Sequence, residues 1–234
     1  MEKAPVPDLD GGQALAMTLF KGVFFDFDGV IGKTMEDNFR AWENNLARFG
    51  MPLGKEEYFL LESINAGELA GRFLKLYGKN RPDPSELVRL KEEYYLQNNH
   101  FALYDGAAEA VDLLKTAGFL LAIVSAANSA RLAKTLPPEI MRKFDAVVTG
   151  DKLLRGKPFP DPYLKAAREL SLKPGECLVV ENAPMGIESA KNADMYCVAI
   201  ASTLDIKHLR KADKVLANIS EVPALITMLQ GRTT

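Results

Sequence analysis

The chain has 234 residues, 47% of them hydrophobic, which is enough for one large domain or for a core with a smaller insert. Its 29 basic and 31 acidic side chains leave a net charge of -2, so nothing in the charge favours binding to nucleic acid or to an anionic membrane. The two histidines, His100 and His208, are too few and too far apart for a zinc site built from histidine.

Residues 1–18 mix acids, prolines and glycines, and we expect a loosely ordered leader rather than a signal peptide. The longest apolar run, Phe119 to Val124, is far shorter than the ~20 residues that span a bilayer. Cys177 and Cys197 each lie in an apolar run and are expected to be buried free thiols in a reducing compartment. These features together predict a cytoplasmic protein.

Short apolar runs along the rest of the chain predict buried parallel strands at 22–27, 119–125, 145–150, 177–181, 196–201 and 214–217. Helix-like segments separate the later runs, at 106–117, 128–135, 160–171, 184–193 and 205–211. Strands that alternate with helices indicate an α/β fold with a doubly wound, Rossmann-like parallel sheet.

The interval 34–103 contains helical patterns and no convincing buried strand, and it is too long for an ordinary crossover. We predict a helical cap domain there, inserted into a core formed by 19–33 and 104–234. Gly50 and Gly78 suit helix C-caps in this insert. Its segment NAGELAGR (65–72) is expected to be a mobile loop over the substrate. The insert's aromatic residues are expected to form its core rather than a substrate cage: Phe39, Trp42 and Phe49.

Polar residues terminate several of the apolar runs. Open α/β sheets bind ligands at the carboxyl ends of their strands, near the switch in strand order. The residues at these ends, or on the loops that follow, are Asp26, Asp28, Ser125, Lys157, Glu181 and Asn182. Their collective position predicts one functional site.

Asp26 and Asp28 lie two residues apart in FFDFDGV, so on an extended chain their carboxylates point the same way. Two such charges repel unless a cation lies between them. Gly29 lets the backbone turn sharply after the pair. An ordinary strand-end turn rich in Asp and Gly is the alternative, but the apolar run before the pair and the helical insert after it favour a site.

Ser125 could hold a phosphate oxygen with its hydroxyl and nearby backbone N–H groups, or it could be a capping serine beside Asn128, a plausible helix N-cap. Lys157 is framed by Gly156 and Pro158, which favours a fixed positive charge over a merely solvated lysine. Such a charge suits binding of phosphate or relief of the repulsion between carboxylates.

Glu181 and Asn182 supply oxygens that suit a hard cation, and Gly186 allows close approach at the start of the next helix. The alternative is a strand end followed by a helix cap.

These motifs resemble those of the haloacid dehalogenase superfamily, in the branch with a helical cap after the first strand, which includes β-phosphoglucomutase-like sugar phosphatases. The resemblance runs from about residue 21 to about residue 217 and follows four motifs in order: DFDGV (26–30), Ser125, Lys157 in GKPFPDPYL, and ENAPMGIESAKNADM (181–195). It implies magnesium-dependent hydrolysis of a small phosphomonoester, such as a sugar phosphate.

The resemblance also implies individual roles. Asp26 attacks phosphorus and becomes an aspartylphosphate, while Asp28 protonates the leaving oxygen and then activates water. Ser125 and Lys157 hold the phosphoryl oxygens. The implied Mg²⁺ ligands are Asp26, the backbone carbonyl of Asp28, Glu181 and Asn182.

The chain departs from the family pattern at three positions. Asn182 stands where relatives usually carry a second acid, which predicts weaker magnesium binding. Lys33 replaces a frequent aspartate, and Asn38 stands where β-phosphoglucomutase has a histidine, which counts against mutase activity. Asp28 counts against dehalogenase and phosphonatase activity, because those relatives lack the second aspartate.

A sugar phosphomutase is therefore the second hypothesis, and a non-catalytic protein that binds a phosphorylated metabolite is the third. A phospho-acceptor receiver domain is about half this length and lacks the insert. The expected partner is a small phosphorylated metabolite, with no nucleic acid and no membrane, and the expected assembly is a monomer or weak dimer.

Overall fold

The computed structural model describes residues 20–76 and 82–231, so the predicted leader and the Gly78 cap lie outside the described residues. Six parallel strands form one sheet in the order β3-β2-β1-β4-β5-β6. They are β1 (Gly22–Phe25), β2 (Leu120–Ser125), β3 (Ala146–Thr149), β4 (Cys177–Glu181), β5 (Tyr196–Ile200) and β6 (Lys214–Leu216). The predicted α/β fold with a parallel sheet is confirmed.

Four helices follow β1: α1 (Met35–Ala47), α2 (Lys55–Leu61), α3 (Ala66–Leu76) and α4 (Pro84–Asn98). The core then adds α5 (Ala107–Thr116), α6 (Ser129–Thr135), α7 (Pro138–Met141), α8 (Asp161–Glu169), α9 (Pro184–Asn192) and α10 (Val222–Leu229). The helical insert after β1 is the predicted cap domain, whereas its exact limits at residues 34 and 103 stay a prediction.

The strands are continuously apolar because both faces of the sheet are buried. Alternate residues of β1 enter different cores: Phe24 packs in one, and Val23 and Phe25 pack in the other. Helices α8 and α9 contribute to the first core, and α5 and α10 contribute to the second. Helices on both faces make the sheet doubly wound.

Aromatic residues form much of the cap's interior. The rings of Trp42 and Phe73 meet edge to face with centroids 5.5 Å apart, which ties α1 to α3. Phe39 is also buried, and Phe49 is partly buried against the same cluster. The prediction of a structural role for the cap aromatics is confirmed, although Trp42 also borders a small cavity described below.

The two connections between core and cap run side by side. Gly32 and Leu103 form an antiparallel bridge, flanked by hydrogen bonds from the Lys33 amide to the Ala102 carbonyl (2.8 Å) and from the Tyr104 amide to the Ile31 carbonyl (2.9 Å). The cap is therefore attached at one narrow, hydrogen-bonded point.

Two predictions about local structure are wrong. The segment 65–72 is not a mobile loop, because Leu69 and Ala70 are buried and the chain from Ala66 onward is helical. The segment 205–211 contains only the short 3₁₀ turn Ile206–His208, since Leu209 is its single buried side chain and too little apolar surface is buried to hold a longer helix.

Cys177 and Cys197 are buried free thiols, as predicted, and burial raises the pKa of both. No helix within 20–76 or 82–231 is both long enough and apolar enough to cross a bilayer.

Candidate active site

The strand order reverses direction beside β1. Strands β1, β2 and β3 lie in this order toward one edge of the sheet, and the next strand, β4, lies on the other side of β1. The crevice at the carboxyl ends of β1 and β4 is where such folds bind ligands. Asp26 directly follows β1, and Glu181 ends β4. Ser125 ends β2, the neighbour of β1 on its other side.

A buried lysine joins the two central acids. The Lys157 ammonium donates to Asp26 Oδ1 at 2.6 Å and to Glu181 Oε1 at 2.5 Å. The Tyr163 hydroxyl donates to the same Glu181 oxygen at 2.6 Å, and the backbone N–H of Asn182 donates to Glu181 Oε2 at 3.1 Å. At most 2% of each of the three charged side chains is exposed, so this ion triad lies in a dry site.

Burial and the Lys157 charge shift the pKa of Asp26 in opposite directions. Burial raises the pKa of Asp26 well above its usual value, and the nearby Glu181 charge raises it further, although the Lys157 ammonium opposes the shift. The triad carries two carboxylates and one ammonium, so one more positive charge would favour the ionised form that a nucleophile needs.

Asp28 faces a different cation from Asp26. The Arg131 guanidinium donates to both oxygens of the Asp28 carboxylate, at 3.2 and 3.0 Å. Oδ1 also accepts from the Thr34 hydroxyl at 2.6 Å and from the Asn38 amide at 3.0 Å. Each of the two aspartates therefore has its own cationic side chain, Lys157 for Asp26 and Arg131 for Asp28.

These donors hold Asp28 ionised. Burial alone would raise the pKa of Asp28, but the Arg131 charge and the Thr34 hydrogen bond lower it below its usual value. In this arrangement Asp28 is suited to accept a proton only after its bidentate pair with Arg131 opens.

Ser125 makes the turn contact that its sequence allowed, and its role toward phosphate stays a prediction. Its hydroxyl oxygen accepts from the Ala127 amide at 3.1 Å, as in a turn serine, and Asn128 caps α6 by accepting from the Arg131 amide at 2.8 Å. Ser125 ends β2, beside Asp26 at the end of β1.

Comparison with known proteins places this geometry in a family. The sequence profile of the haloacid dehalogenase-like hydrolases matches residues 23–200, which include every candidate residue named above. The chain belongs to the haloacid dehalogenase-like hydrolase family.

Two curated relatives and one solved structure show the range of this hydrolase's neighbours. Hexitol phosphatase A of Escherichia coli is 32% identical over 211 residues, covering 86% of this chain and 93% of the relative. The β-phosphoglucomutase of Bacillus subtilis is 30% identical over 193 residues, covering 77% and 83%. The structure of CbbY from Rhodobacter sphaeroides in complex with phosphate superposes with a TM-score of 0.75 at 26% identity, covering 87% and 96%. The family and its phosphatase members make this chain a phosphomonoester hydrolase.

The oxygen atoms in the hydrolase's crevice fit a divalent cation. Asp26 Oδ2 and Asn182 Oδ1 are both buried, and neither has a hydrogen-bond partner among the residues that the structure describes. Within the described residues no three His, Cys, Asp or Glu side chains converge on one point, because Lys157 lies between Asp26 and Glu181. Mg²⁺ is usually held by one or two carboxylates together with water and substrate phosphate, so this sparse set of oxygens suits it.

Gly186 of the hydrolase lies directly against Glu181. A Cβ atom at position 186 would come within 1.9 Å of Glu181 Oε1, well inside contact distance. We expect Gly186→Ala to displace the Glu181 carboxylate from Lys157 and to lower turnover at least about tenfold, measured as phosphate release. The displacement outweighs the gain of about 1 kcal/mol that alanine brings to a helix.

Gly175→Ala is the matched control, because no atom lies within 4 Å of its added Cβ. Equal losses in both variants, or none in either, would contradict the assigned contact.

Sequence reasoning missed two side chains that complete this site. Tyr163 lies on α8, in the same GKPFPDPYL stretch as Lys157, and that proximity was the available signal. Arg131 follows the helix cap Asn128 by three residues, and a buried aspartate pair that needs a cation on each member would have pointed to it. Their roles depend on contacts across distant segments, which no local pattern records.

Proposed function

We propose that the chain is a magnesium-dependent phosphatase that hydrolyses a small phosphomonoester, such as a sugar phosphate, through an aspartylphosphate on Asp26. The observation that carries the proposal is the buried Asp26 carboxylate at the strand-order switch. One of its oxygens is paired with Lys157, and the other has no partner within residues 20–76 and 82–231. A nucleophile needs such a free oxygen, and the fixed ammonium offsets the repulsion between a carboxylate and a phosphate dianion.

In the first step Asp26 bonds to phosphorus as the ester P–O bond breaks, and the leaving oxygen takes a proton from Asp28. In the second step water attacks phosphorus, its proton passes to Asp28, and the bond to Asp26 breaks. Ser125 and Lys157 donate hydrogen bonds to the phosphoryl oxygens in both steps. The bidentate contact between Arg131 and Asp28 has to loosen during the cycle, because the paired carboxylate cannot carry a proton.

Magnesium would be held by Asp26, Asn182 and Glu181, with the backbone carbonyl of Asp28, and it would supply the further positive charge that an ionised Asp26 requires. Asn182 donates its amide to the Thr203 hydroxyl at 3.1 Å, which leaves its oxygen directed elsewhere and unpartnered.

Asn182→Asp is expected to tighten magnesium binding, because a carboxylate adds one negative charge to the ligand set. The measurement is a calorimetric titration with Mg²⁺, together with the Mg²⁺ concentration that gives half-maximal phosphate release. The matched control is Asn44→Asp, which adds the same charge at an exposed position of α1 in the cap. Unchanged or weaker binding in Asn182→Asp would remove this residue from the metal site.

The proposal predicts hydrolysis and not isomerisation. A mutase has to keep water away from its phosphoaspartate until the sugar phosphate intermediate has turned around in the site, so that the phosphoryl group returns to the sugar. In β-phosphoglucomutase the resemblance assigns part of that control to a histidine at the position of Asn38. The Asn38 amide donates to Asp28, and its oxygen accepts from Lys91 at 2.7 Å, so it bridges the two but cannot take up a proton.

The test is incubation with glucose 1-phosphate, a trace of the bisphosphate and Mg²⁺, followed by phosphorus NMR. We expect inorganic phosphate to accumulate faster than glucose 6-phosphate, and a parallel panel of phosphomonoesters to release phosphate only when Mg²⁺ is present. Faster accumulation of glucose 6-phosphate would establish the mutase instead.

A further inference from the structure

A small cavity lies between the cap and the core, next to Asp28. Its volume is about 30 Å³, and its walls include Asn38, Trp42, Tyr58, Glu62, Lys91 and Arg131. This volume holds about one water molecule, so a substrate's leaving group can enter only when the cap moves away from the core. The cavity walls are then the surfaces that meet the leaving group.

Glu62 lines the cavity with a carboxyl group that makes one side-chain hydrogen bond within the described residues. It follows the last residue of α2 and is 6% exposed. Among the described residues only the Ser63 hydroxyl donates to its carboxyl group, at 2.8 Å to Oε2. A buried carboxyl group with one unpaired oxygen is costly unless a ligand completes its hydrogen bonds.

The backbone beside Glu62 is strained. Ser63 has a φ of 71°, in the left-handed region that non-glycine residues seldom adopt. Such strain persists where surrounding structure enforces it, and it is concentrated at functional positions. Here it fixes the turn that directs Glu62 inward from the cap.

The charges around the cavity are already paired. Glu92 is an acidic partner of both wall cations, at 3.0 Å from the Lys91 ammonium and 3.5 Å from the Arg131 guanidinium, so Arg131 keeps a partner when its pair with Asp28 loosens. Burial raises the pKa of Glu62 to about 8, so near neutral pH its carboxyl group is readily protonated and can donate a hydrogen bond as well as accept one. The described part of the wall therefore offers no unpaired cation to a second anionic group.

We propose that Glu62 is a specificity-determining residue that hydrogen-bonds a hydroxyl of the leaving group, and that the site selects uncharged polyhydroxyl leaving groups over those that carry a carboxylate or a second phosphate. The inference rests on the proposed phosphatase function. Carboxyl and amide side chains provide the paired donors and acceptors that hydroxyl groups require, and Trp42 and Tyr58 add apolar surface.

Two substrates of equal length test the charge preference. Glucitol 6-phosphate and 6-phosphogluconate differ at the far end, where a hydroxymethyl group replaces a carboxylate. We expect the wild type to hydrolyse glucitol 6-phosphate with a kcat/KM at least about tenfold higher, because a buried carboxylate without a cation is costly. Equal values, or a preference for 6-phosphogluconate, would overturn the inference.

Variants of Glu62 test the residue itself. We expect Glu62→Leu to lower kcat/KM for glucitol 6-phosphate about tenfold through a higher KM, while Glu62→Gln, which keeps a donor and an acceptor, recovers most of the loss. Glu57→Leu, an exposed change on the same helix, is the control and should match the wild type. A Glu62→Leu variant within twofold of the wild type would overturn the assignment.

Two further readouts separate the possible failures. Should Glu62→Leu fail to fold, as judged by circular dichroism, the wild-type comparison and Glu62→Gln still decide. Wild-type protein that releases phosphate from p-nitrophenyl phosphate but shows no preference between the two sugar derivatives contradicts this inference alone. Protein that releases phosphate from none of the three contradicts the proposed function as well.

Discussion

Asp26→Asn should lower phosphatase turnover at least about 10³-fold, because the amide cannot form the phosphoenzyme. The fold should survive the change, since Lys157 keeps its bond to Glu181 and the amide oxygen can still accept from the ammonium. The measurement is phosphate release with saturating Mg²⁺, together with the urea midpoint of each protein.

Asp112→Asn is the matched control, because Asp112 is an exposed aspartate on helix α5, where it forms an ion pair with Lys143. It should keep wild-type turnover. Phosphatase activity within tenfold of the wild type in Asp26→Asn would rule out Asp26 as the nucleophile.

Lys157→Met should damage both stability and chemistry. Removing the ammonium leaves Asp26 and Glu181 buried without a cation, which typically costs about 3–5 kcal/mol of folding free energy. Turnover should fall at least about 10²-fold, because the charge that opposes the phosphate dianion is lost. Urea unfolding and phosphate release measure the two effects.

The stability deficit of Lys157→Met should narrow as the pH falls. Burial already holds the pKa of Asp26 well above its usual value, and the Lys157 ammonium opposes that shift, so without Lys157 this pKa rises further. Protonation of Asp26 then favours the folded state, and the penalty grows as pH increases. Lys165→Met is the control, since Lys165 pairs with Glu169 at the surface, where such pairs contribute about 0–1 kcal/mol. A deficit no larger than that of the control would contradict the buried triad.

The sheet was predictable because its strands are buried on both faces and therefore stand out as uninterrupted apolar runs. The helix α10 was missed although it is strongly apolar, since a run such as VPALITML does not separate a buried helix from a buried strand. The segment 65–72 was misjudged because its glycines suggested mobility, whereas the buried face of α3 decides its structure.

In the site, too, local sequence patterns predicted some residues, while contacts between distant segments decided others. Asp26, Lys157 and Glu181 were predicted to lie together because each follows a strand, and the topology brings strand ends to one edge. The partnership of Asp28 with Arg131 was not predictable, because the two are separated by 103 positions in the chain and their contact depends on side-chain direction. Glu62 carried no signal either, since a single acid after an apolar helix reads as a surface residue.

The side-by-side attachment of the cap at Gly32 and Leu103 has a consequence for how such enzymes diversify. The segment that leaves the core and the segment that returns to it are hydrogen-bonded neighbours. An insert of a different size can therefore occupy this position without changing the strand order of the sheet, as long as its two ends lie side by side. Most of the insert can therefore change while the catalytic groups on the sheet stay in place, provided that Asn38 of α1, which donates to Asp28, is retained. Replacing the helical cap with that of a relative is therefore a way to change the substrate while the residues that act on the phosphate stay the same.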